Sequence, residues 1–170
     1  MELLDQKRFI YSRMLAEARG FGLEIDNELS DPDRPWGSYL RFKDSSVPAF
    51  FEAYWTDIHV KFDFQGHRID PKILMVAPGA RLSLQYHNRR QELWRVLVGP
   101  VKIVLGPDGT SLIERIVNMG ELIEIPKGYW HRLGGGSNWG VVAEIWEHID
   151  GSASSDEDDI VRIADDYSRK

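Results

Sequence analysis

A series of short β-type segments in the middle of the chain, from about residue 50 to residue 149, limits the fold more than any other feature. Runs rich in β-branched and aromatic residues, such as HVKFDF, KILMVA and VKIVLG, alternate with turn-forming stretches such as PGA, GPDGT and GGGSN. No helical periodicity stands between them. Because many short strands joined by close turns are typical of an antiparallel sandwich or barrel, we predict an all-β fold.

The two ends of the chain carry a different pattern. Residues 2–20 place apolar side chains at helical spacing and end at glycines, which predicts an N-terminal helix. Residues 155–168 begin with Ser155, a good N-cap, and continue with acidic residues that a helix dipole favours, which predicts a C-terminal helix. The barrel would then occupy residues 34–149, within a single domain of residues 1–170.

Charge and composition exclude several classes of partner. The net charge of −6 leaves no basic stripe for nucleic acid, and an acidic surface disfavours docking on anionic lipid. The first residues, MELLDQKRFIYSRM, mix charges with apolar residues, so we expect neither a signal peptide nor a membrane span. Cysteine is absent, which excludes disulfides and thiolate sites and is compatible with the cytoplasm, where we expect the protein to act.

One stretch, LSLQYHNRRQELW, concentrates groups that can bind a metal. Gln85 and His87 lie two apart on a strand, so both face one way, and the turn that follows returns Glu92 beside them. After a later turn, PKG, His131 can arrive from a facing strand. Two imidazoles, a carboxylate and an amide oxygen suit one divalent ion among Zn, Mn, Ni, Co and Fe, without choosing between them. The alternative, a hydrogen-bonded polar core, is disfavoured because barrels rarely bury four polar groups without a ligand.

The spacing of these residues resembles a known superfamily. Two blocks, Gly79 to Gly99 and Gly120 to His131, match the two motifs of the cupins, except that Gln85 stands where a histidine is usual. Longer stretches, in order RPWGSY, KILMVAPGARLSLQYHNRRQELW, IPKGYWHRL, AEIWEH and EDDIVRIADDYSR, resemble the type II phosphomannose isomerase (mannose-6-phosphate isomerase) domain, in which the glutamine is expected. The resemblance implies a cupin double-stranded β-helix, a jelly-roll barrel, flanked by the two predicted helices.

The resemblance also implies residues that bind a sugar phosphate. Arg90, Arg132 and Arg169 stand at basic positions of the family pattern, and arginine binds phosphate through two parallel hydrogen bonds. Trp130 lies beside His131 and would line the sugar site. We expect these four residues to contact the substrate.

Two further residues are candidates for proton transfer. Glu144 stands at the acidic position of a late family motif, and Lys72 aligns with a family lysine on the strand before the metal-binding strand. An aldose–ketose isomerase moves a proton between adjacent carbons, so it needs a base such as Glu144. A strand glutamate that faces solvent is the alternative interpretation of this residue.

The implied activity is metal-dependent aldose–ketose isomerisation of a sugar phosphate, with mannose 6-phosphate to fructose 6-phosphate as the first choice. Departures from the family pattern leave the sugar open: Leu93 replaces a usual histidine, Trp146 a usual glutamine, and residues 42–70 form a longer stretch than is usual. The alternatives are a heptose-phosphate isomerase, a non-catalytic sugar-phosphate-binding cupin and a metal-dependent oxygenase. A homodimer is a habit of the superfamily and is expected on that ground alone.

Overall fold

Two antiparallel β-sheets face each other in the computed structural model, which describes residues 2–56, 67–149 and 155–168. The described elements are α1 Leu3–Gly20, β1 Asp31–Arg34, β2 Gly37–Arg41, α2 Val47–Tyr54, β3 Arg68–Val76, β4 Leu84–His87, β5 Arg90–Val98, β6 Val101–Gly106, β7 Ile113–Val117, β8 Leu122–Ile125, β9 Trp130–Gly135, β10 Gly140–His148 and β11 Ile160–Ala164. One sheet has the order β1-β2-β3-β10-β5-β8 and the other has the order β11-β4-β9-β6-β7. The predicted all-β barrel is confirmed.

The strands β3 and β10 form the centre of the larger sheet and are buried along almost their whole length. One face of this sheet packs against the smaller sheet, where Trp94, Ile103 and Leu133 lie in the inner core. The other face is covered by the helices α1 and α2, which form a second apolar cluster. Burial on both faces explains why KILMV and GVVAEIW are nearly continuous apolar runs rather than alternating ones.

The predicted N-terminal helix is confirmed as α1. Its buried residues Ile10, Met14 and Ala18 are four apart, so they form one stripe on the face that packs against the sheet. Gly22, just after the helix, has a φ of 75°, a left-handed conformation that glycine adopts without strain. Within the described ranges, neither helix combines the length and the apolar character that a membrane-crossing helix needs.

The second helix, α2, lies in the stretch of residues 42–70 whose role the sequence left open. It begins near a proline, a residue well suited to the first helical turn, and buries Phe50 completely beneath Phe42 and Trp55. This helix therefore belongs to the outer apolar cluster rather than to the barrel. The segment HVKFDF, interpreted above as a strand, falls outside the described residues.

The prediction of a C-terminal helix over residues 155–168 is wrong. The chain makes a single 3₁₀ turn at Glu157–Asp159 and continues as β11, which pairs antiparallel with β4. A short isolated helix is marginally stable, whereas β-branched residues beside an open sheet edge gain a ladder of backbone hydrogen bonds. The acidic residues serve turns: the Asp159 carboxylate accepts hydrogen bonds from the backbone N–H groups of Asn88 and Arg89.

The burial of Phe50 generates a stability prediction. Phe50→Ala should lower the free energy of unfolding by about 3–5 kcal/mol, because it removes a ring from a fully packed site and leaves a cavity. Phe9→Ala, the same substitution at a ring that is 60% exposed on α1, should change it by less than about 0.5 kcal/mol. Urea unfolding measures both, and equal losses would contradict the packing described for α2.

Candidate metal centre and cleft

A buried group of three side chains lies between the two sheets, where β4, β5 and β9 approach one another. Glu92 Oε1 is 2.9 Å from His87 Nε2, and Glu92 Oε2 is 3.5 Å from His131 Nε2. The two imidazole Nε2 atoms are 3.2 Å apart. The candidate ligand atoms of the three residues thus lie within 4.8 Å of one another. Three of the four residues expected from the sequence to bind a metal are brought together; we call them the metal cluster.

The tautomer of His131 is set by a backbone contact. Its Nδ1 lies 3.0 Å from the carbonyl oxygen of Tyr129, an acceptor, so Nδ1 carries the proton and donates it. The Nε2 lone pair of the neutral ring then points at the metal cluster. Burial lowers the pKa of His131 to about 4, which keeps the ring neutral at pH 7. A neutral imidazole held by a hydrogen bond at its other nitrogen is the form that binds metals.

The carboxylate of Glu92 is ionised despite its burial. Burial alone would raise the pKa of Glu92, but attraction from His87 and Arg90 outweighs this effect and holds the pKa well below its usual range. Trp94 Nε1 also donates a hydrogen bond of 3.1 Å to Glu92 Oε2. An anionic carboxylate beside two imidazoles is a donor set that fits a divalent transition metal.

Gln85, the fourth expected ligand, reaches the same place. It lies on β4 directly opposite His131 on β9. Its amide nitrogen is 3.5 Å from His87 Nε2, whereas its oxygen accepts a hydrogen bond of 2.7 Å from the Ser83 hydroxyl. The structure therefore brings Gln85 to the metal cluster and turns its oxygen towards Ser83.

Arg90 has a different environment from the one expected. Its guanidinium is fully buried and donates from Nε to Glu92 Oε1 at 2.9 Å and from Nη1 to Ser155 Oγ at 2.8 Å, and its Nη2 lies 3.1 Å from His87 Nε2. The guanidinium carbon lies 3.5 Å from the centre of the Trp146 ring. In this structure the guanidinium of Arg90 thus contacts the metal cluster and Ser155, and Arg90 is not among the residues that line the cleft described next.

A cleft opens beside the metal cluster. Its lining includes Gln85, whose amide nitrogen is 3.5 Å from His87 Nε2, and Glu144. Trp94 Nε1 donates a hydrogen bond of 2.9 Å to Glu144 Oε1 and also donates to Glu92 of the metal cluster. The full lining is Arg34, Trp36, Tyr39, Lys72, Leu74, Leu82, Ser83, Gln85, Glu144, Trp146, Glu157, Ile160 and Arg162. A small molecule in this cleft would lie next to the candidate metal ligands.

Lys72 and Glu144, the expected proton-transfer residues, lie together in this cleft. They are directly opposite each other on β3 and β10, and both are buried. Burial raises the pKa of Glu144, helped by the negative charge of Glu92, and burial lowers the pKa of Lys72. Lys72 Nζ also lies 2.9 Å from the centre of the Trp146 ring. Both shifts bring the pKa values towards neutrality, where proton transfer is most effective. Because Glu144 is buried, the alternative of a strand glutamate that faces solvent does not apply.

Trp130 and Arg132, the other residues expected to contact the substrate, do not line this cleft, for a simple geometric reason. Both are sequence neighbours of His131 on β9, and neighbouring side chains on a strand point to opposite faces. Trp130 stacks on Tyr86, with ring centres 6.0 Å apart, and Arg132 Nη2 donates to the backbone oxygen of Ala164 at 3.0 Å. Arg169, the third expected phosphate ligand after Arg90 and Arg132, lies outside the described residues.

Two cationic residues that the sequence analysis gave no role line the cleft instead. Arg34 lies at the end of β1, and Arg162 lies on β11 directly opposite Gln85. Both belong to stretches that resemble the family, RPWGSY and EDDIVRIADDYSR, so the sequence did mark these segments as candidates for the site. Arg162 could not be placed from the sequence because its segment was interpreted as a helix rather than as a partner of β4.

Comparison with known families agrees with this geometry. The family model described as Mannose-6-phosphate isomerase C-terminal matches residues 53–165. The chain belongs to this family. The resemblance inferred from the motifs is therefore confirmed. The matched part of this chain, residues 53–165, includes the metal cluster together with Lys72, Glu144 and Arg162.

Several relatives share this part of the sequence. The xanthan biosynthesis protein XanB of Xanthomonas campestris pv. campestris is 36% identical over 136 residues, which cover 80% of this chain and 23% of that protein. The mannose-1-phosphate guanylyltransferase of Escherichia coli K12 is 32% identical, over 80% of this chain and 22% of that protein. The alginate biosynthesis protein AlgA of Pseudomonas aeruginosa is 35% identical with the same coverage. The chain thus spans less than a quarter of the length of these relatives.

Solved structures support the fold. Oxalate decarboxylase from Bacillus subtilis has a TM-score of 0.56 at 16% identity, over 79% of this chain and 29% of that chain. CapF has a TM-score of 0.54 at 19% identity, over 79% of this chain and 33% of that chain. At these identities the likeness shows the fold alone. It confirms the cupin barrel predicted for this chain.

The metal cluster generates a prediction on metal content. His87→Ala, Glu92→Ala and His131→Ala should each lower the affinity for a divalent transition metal by more than about tenfold, since even the loss of supporting hydrogen bonds costs this much. His67→Ala is the matched control, because His67 bonds to Glu147 outside the metal cluster. Elemental analysis after loading with Mn, Co, Ni or Zn measures the effect. Full occupancy in all three cluster variants would reject the site.

Proposed function

We propose that the chain is a metal-dependent aldose–ketose isomerase of a sugar phosphate, with mannose 6-phosphate and fructose 6-phosphate as the first pair to test. The observation that carries this proposal is the buried pair Lys72 and Glu144, which faces the cleft next to the metal cluster. The chain belongs to a family named after mannose-6-phosphate isomerase, and this supports the choice of substrate.

The reaction requires a base at one carbon and a proton donor at the neighbouring oxygen. Glu144 would remove the proton from C2 of the open-chain aldose; the electrons of that bond form C1=C2, and the carbonyl electrons move to O1. The protonated Glu144 would then return the proton to C1 while the O2 proton leaves and C2=O forms. Lys72, opposite Glu144, would donate to and accept from the sugar oxygens. Atoms and electrons balance without a further reactant.

The chain's own residues would position these steps. His87, Glu92 and His131 would hold one divalent metal, and Gln85 would join them by turning its amide oxygen from Ser83 to the metal. When bound, the metal supplies the Lewis acidity that polarises the substrate oxygens. The Trp94 indole N–H bridges Glu92 and Glu144 and so fixes the base relative to the metal cluster. Burial of Glu144 keeps its carboxylate poorly solvated and therefore more basic than an exposed glutamate.

One observation favours a second candidate, a cupin that binds a sugar phosphate without converting it. The Arg90 Nη2 group lies 3.1 Å from His87 Nε2, the atom that a metal would bind. With the Arg90 cation held at this position, the metal cluster would stay metal-free and the cleft would act as a binding site only.

A substrate screen decides between these functions. The protein is loaded in turn with Mn, Co, Ni, Zn and Fe, and ¹³C NMR follows mannose 6-phosphate, fructose 6-phosphate and a heptose phosphate pair. Interconversion of a pair supports the isomerase and identifies the sugar. Binding of these compounds without turnover under every metal condition supports the second candidate, and oxygen consumption with iron indicates an oxygenase.

The role of Glu144 generates a mutational prediction. Glu144→Gln should lower the isomerisation rate by about 10²–10⁴-fold, because the amide cannot accept the carbon-bound proton, while metal content and thermal stability stay near those of the unaltered protein. Glu124→Gln, an exposed glutamate on β8, is the control. NMR in D₂O also measures the exchange of the C2 hydrogen with solvent. A Glu144→Gln variant that exchanges at the unaltered rate would exclude Glu144 as the base.

A further inference from the structure

The cleft receives three cationic side chains from three separate strands. Arg34 comes from β1, Lys72 from β3 and Arg162 from β11. Arg34 and Arg162 are partly exposed, with 35% and 19% of their side chains accessible, so a solute can reach both. Arg162 lies opposite Gln85, and Lys72 lies opposite Glu144, so the cationic wall adjoins the proposed reaction centre.

The side chain of Glu157 already places a negative charge among these cations. Its Oε1 is 3.9 Å from Lys72 Nζ, and its Oε2 is 3.6 Å from Arg162 Nη2. Its charge also acts on Arg34. Both distances exceed that of a good hydrogen bond, and the Glu157 side chain is 57% exposed. Such a contact is weak, so a ligand with more charge and more acceptor oxygens can replace it.

The remaining arginines near the site are used elsewhere. Arg90 is fully buried against the metal cluster, and Arg132 lies on the opposite face of β9 from His131. Arg41 forms a buried ion pair of 3.2 Å with Asp70. Arg34 is held in place by contacts of 2.9 Å to Asp31 and 3.2 Å to the Tyr39 hydroxyl, so its guanidinium is pre-oriented at the cleft.

We propose that Arg34 and Arg162 form the phosphate subsite of the cleft, and that the Glu157 carboxylate is an internal anion which the phosphate group displaces. The identity of the ligand as a sugar phosphate rests on the proposed function. Guanidinium groups suit a phosphate dianion because each offers parallel N–H donors. The sugar would then extend from this subsite towards Gln85 and Glu144, which places its reacting end at the metal cluster.

The turn that carries Glu157 is anchored on either side of it, so this carboxylate can leave without unfolding the segment. Arg90 Nη1 donates to the backbone oxygen of Asp156 at 3.2 Å, Asp158 pairs with Arg89 at 2.7 Å, and Asp159 binds the backbone of Asn88. Glu157 therefore lowers the affinity for other anions without holding the segment in place.

Isothermal titration of the full chain with mannose 6-phosphate, mannose and inorganic phosphate tests the subsite. Arg34→Gln and Arg162→Gln should each raise the Kd for mannose 6-phosphate and for inorganic phosphate at least about tenfold, with less than about a twofold change for mannose, since one charged hydrogen-bonding group is lost. Glu157→Gln should lower the Kd for both phosphates severalfold. Arg115→Gln, an exposed arginine on β7, is the matched control and should bind as the unaltered protein does.

The outcomes separate this inference from the proposed function. Phosphate affinity that is unchanged in Arg34→Gln and Arg162→Gln overturns the subsite even if isomerisation is observed. Affinity that falls in both variants, and rises in Glu157→Gln, supports the subsite even if no turnover is found. Should Arg34→Gln lose its fold through the contact with Asp31, Arg162→Gln and the exposed Glu157→Gln still decide the question in opposite directions.

Discussion

The buried carboxylate of Glu92 is the charge on which the rest of this structure depends. An ionised carboxylate away from water is costly unless every lone pair finds a partner. Here Arg90 and Trp94 on β5 donate hydrogen bonds to the carboxylate, and the Nε2 atoms of the two histidines, on β4 and β9, lie 2.9 and 3.5 Å from it. The same group therefore joins the two sheets and assembles the candidate metal ligands, so the stability of the barrel and the geometry of the site rest on one set of contacts.

Arg90 connects the metal cluster to the segment that precedes β11. Its Nη1 group binds Ser155, whose hydroxyl donates to Asp159 at 2.6 Å, and Asp159 in turn accepts from the backbone between β4 and β5. This arrangement starts β11 beside β4 and brings Arg162 into the cleft. The C-terminal segment is thus a wall of the site rather than an accessory to the barrel.

The sequence predicted the parts of the site whose geometry follows from local rules. Alternation on β4 puts Gln85 and His87 on one side, and the motif spacing correctly brought Glu92 and His131 to them. Closeness in the sequence did not decide which arginines line the cleft. Arg132 adjoins a candidate ligand in the chain yet points to the other face of its strand, and Arg90 adjoins the ligands yet is buried against Glu92.

By itself, the sequence determined the antiparallel barrel, the helix α1, the residues of the metal cluster and the family, because β-rich runs, turn residues, helical spacing and motif spacing are local properties of the chain. Only the tertiary structure decided that residues 160–164 form a strand, since the free edge of β4, distant in sequence, supplies the hydrogen bonds that a short helix would make internally. It alone also decided which arginines reach the cleft, because burial and strand direction depend on neighbours from other elements.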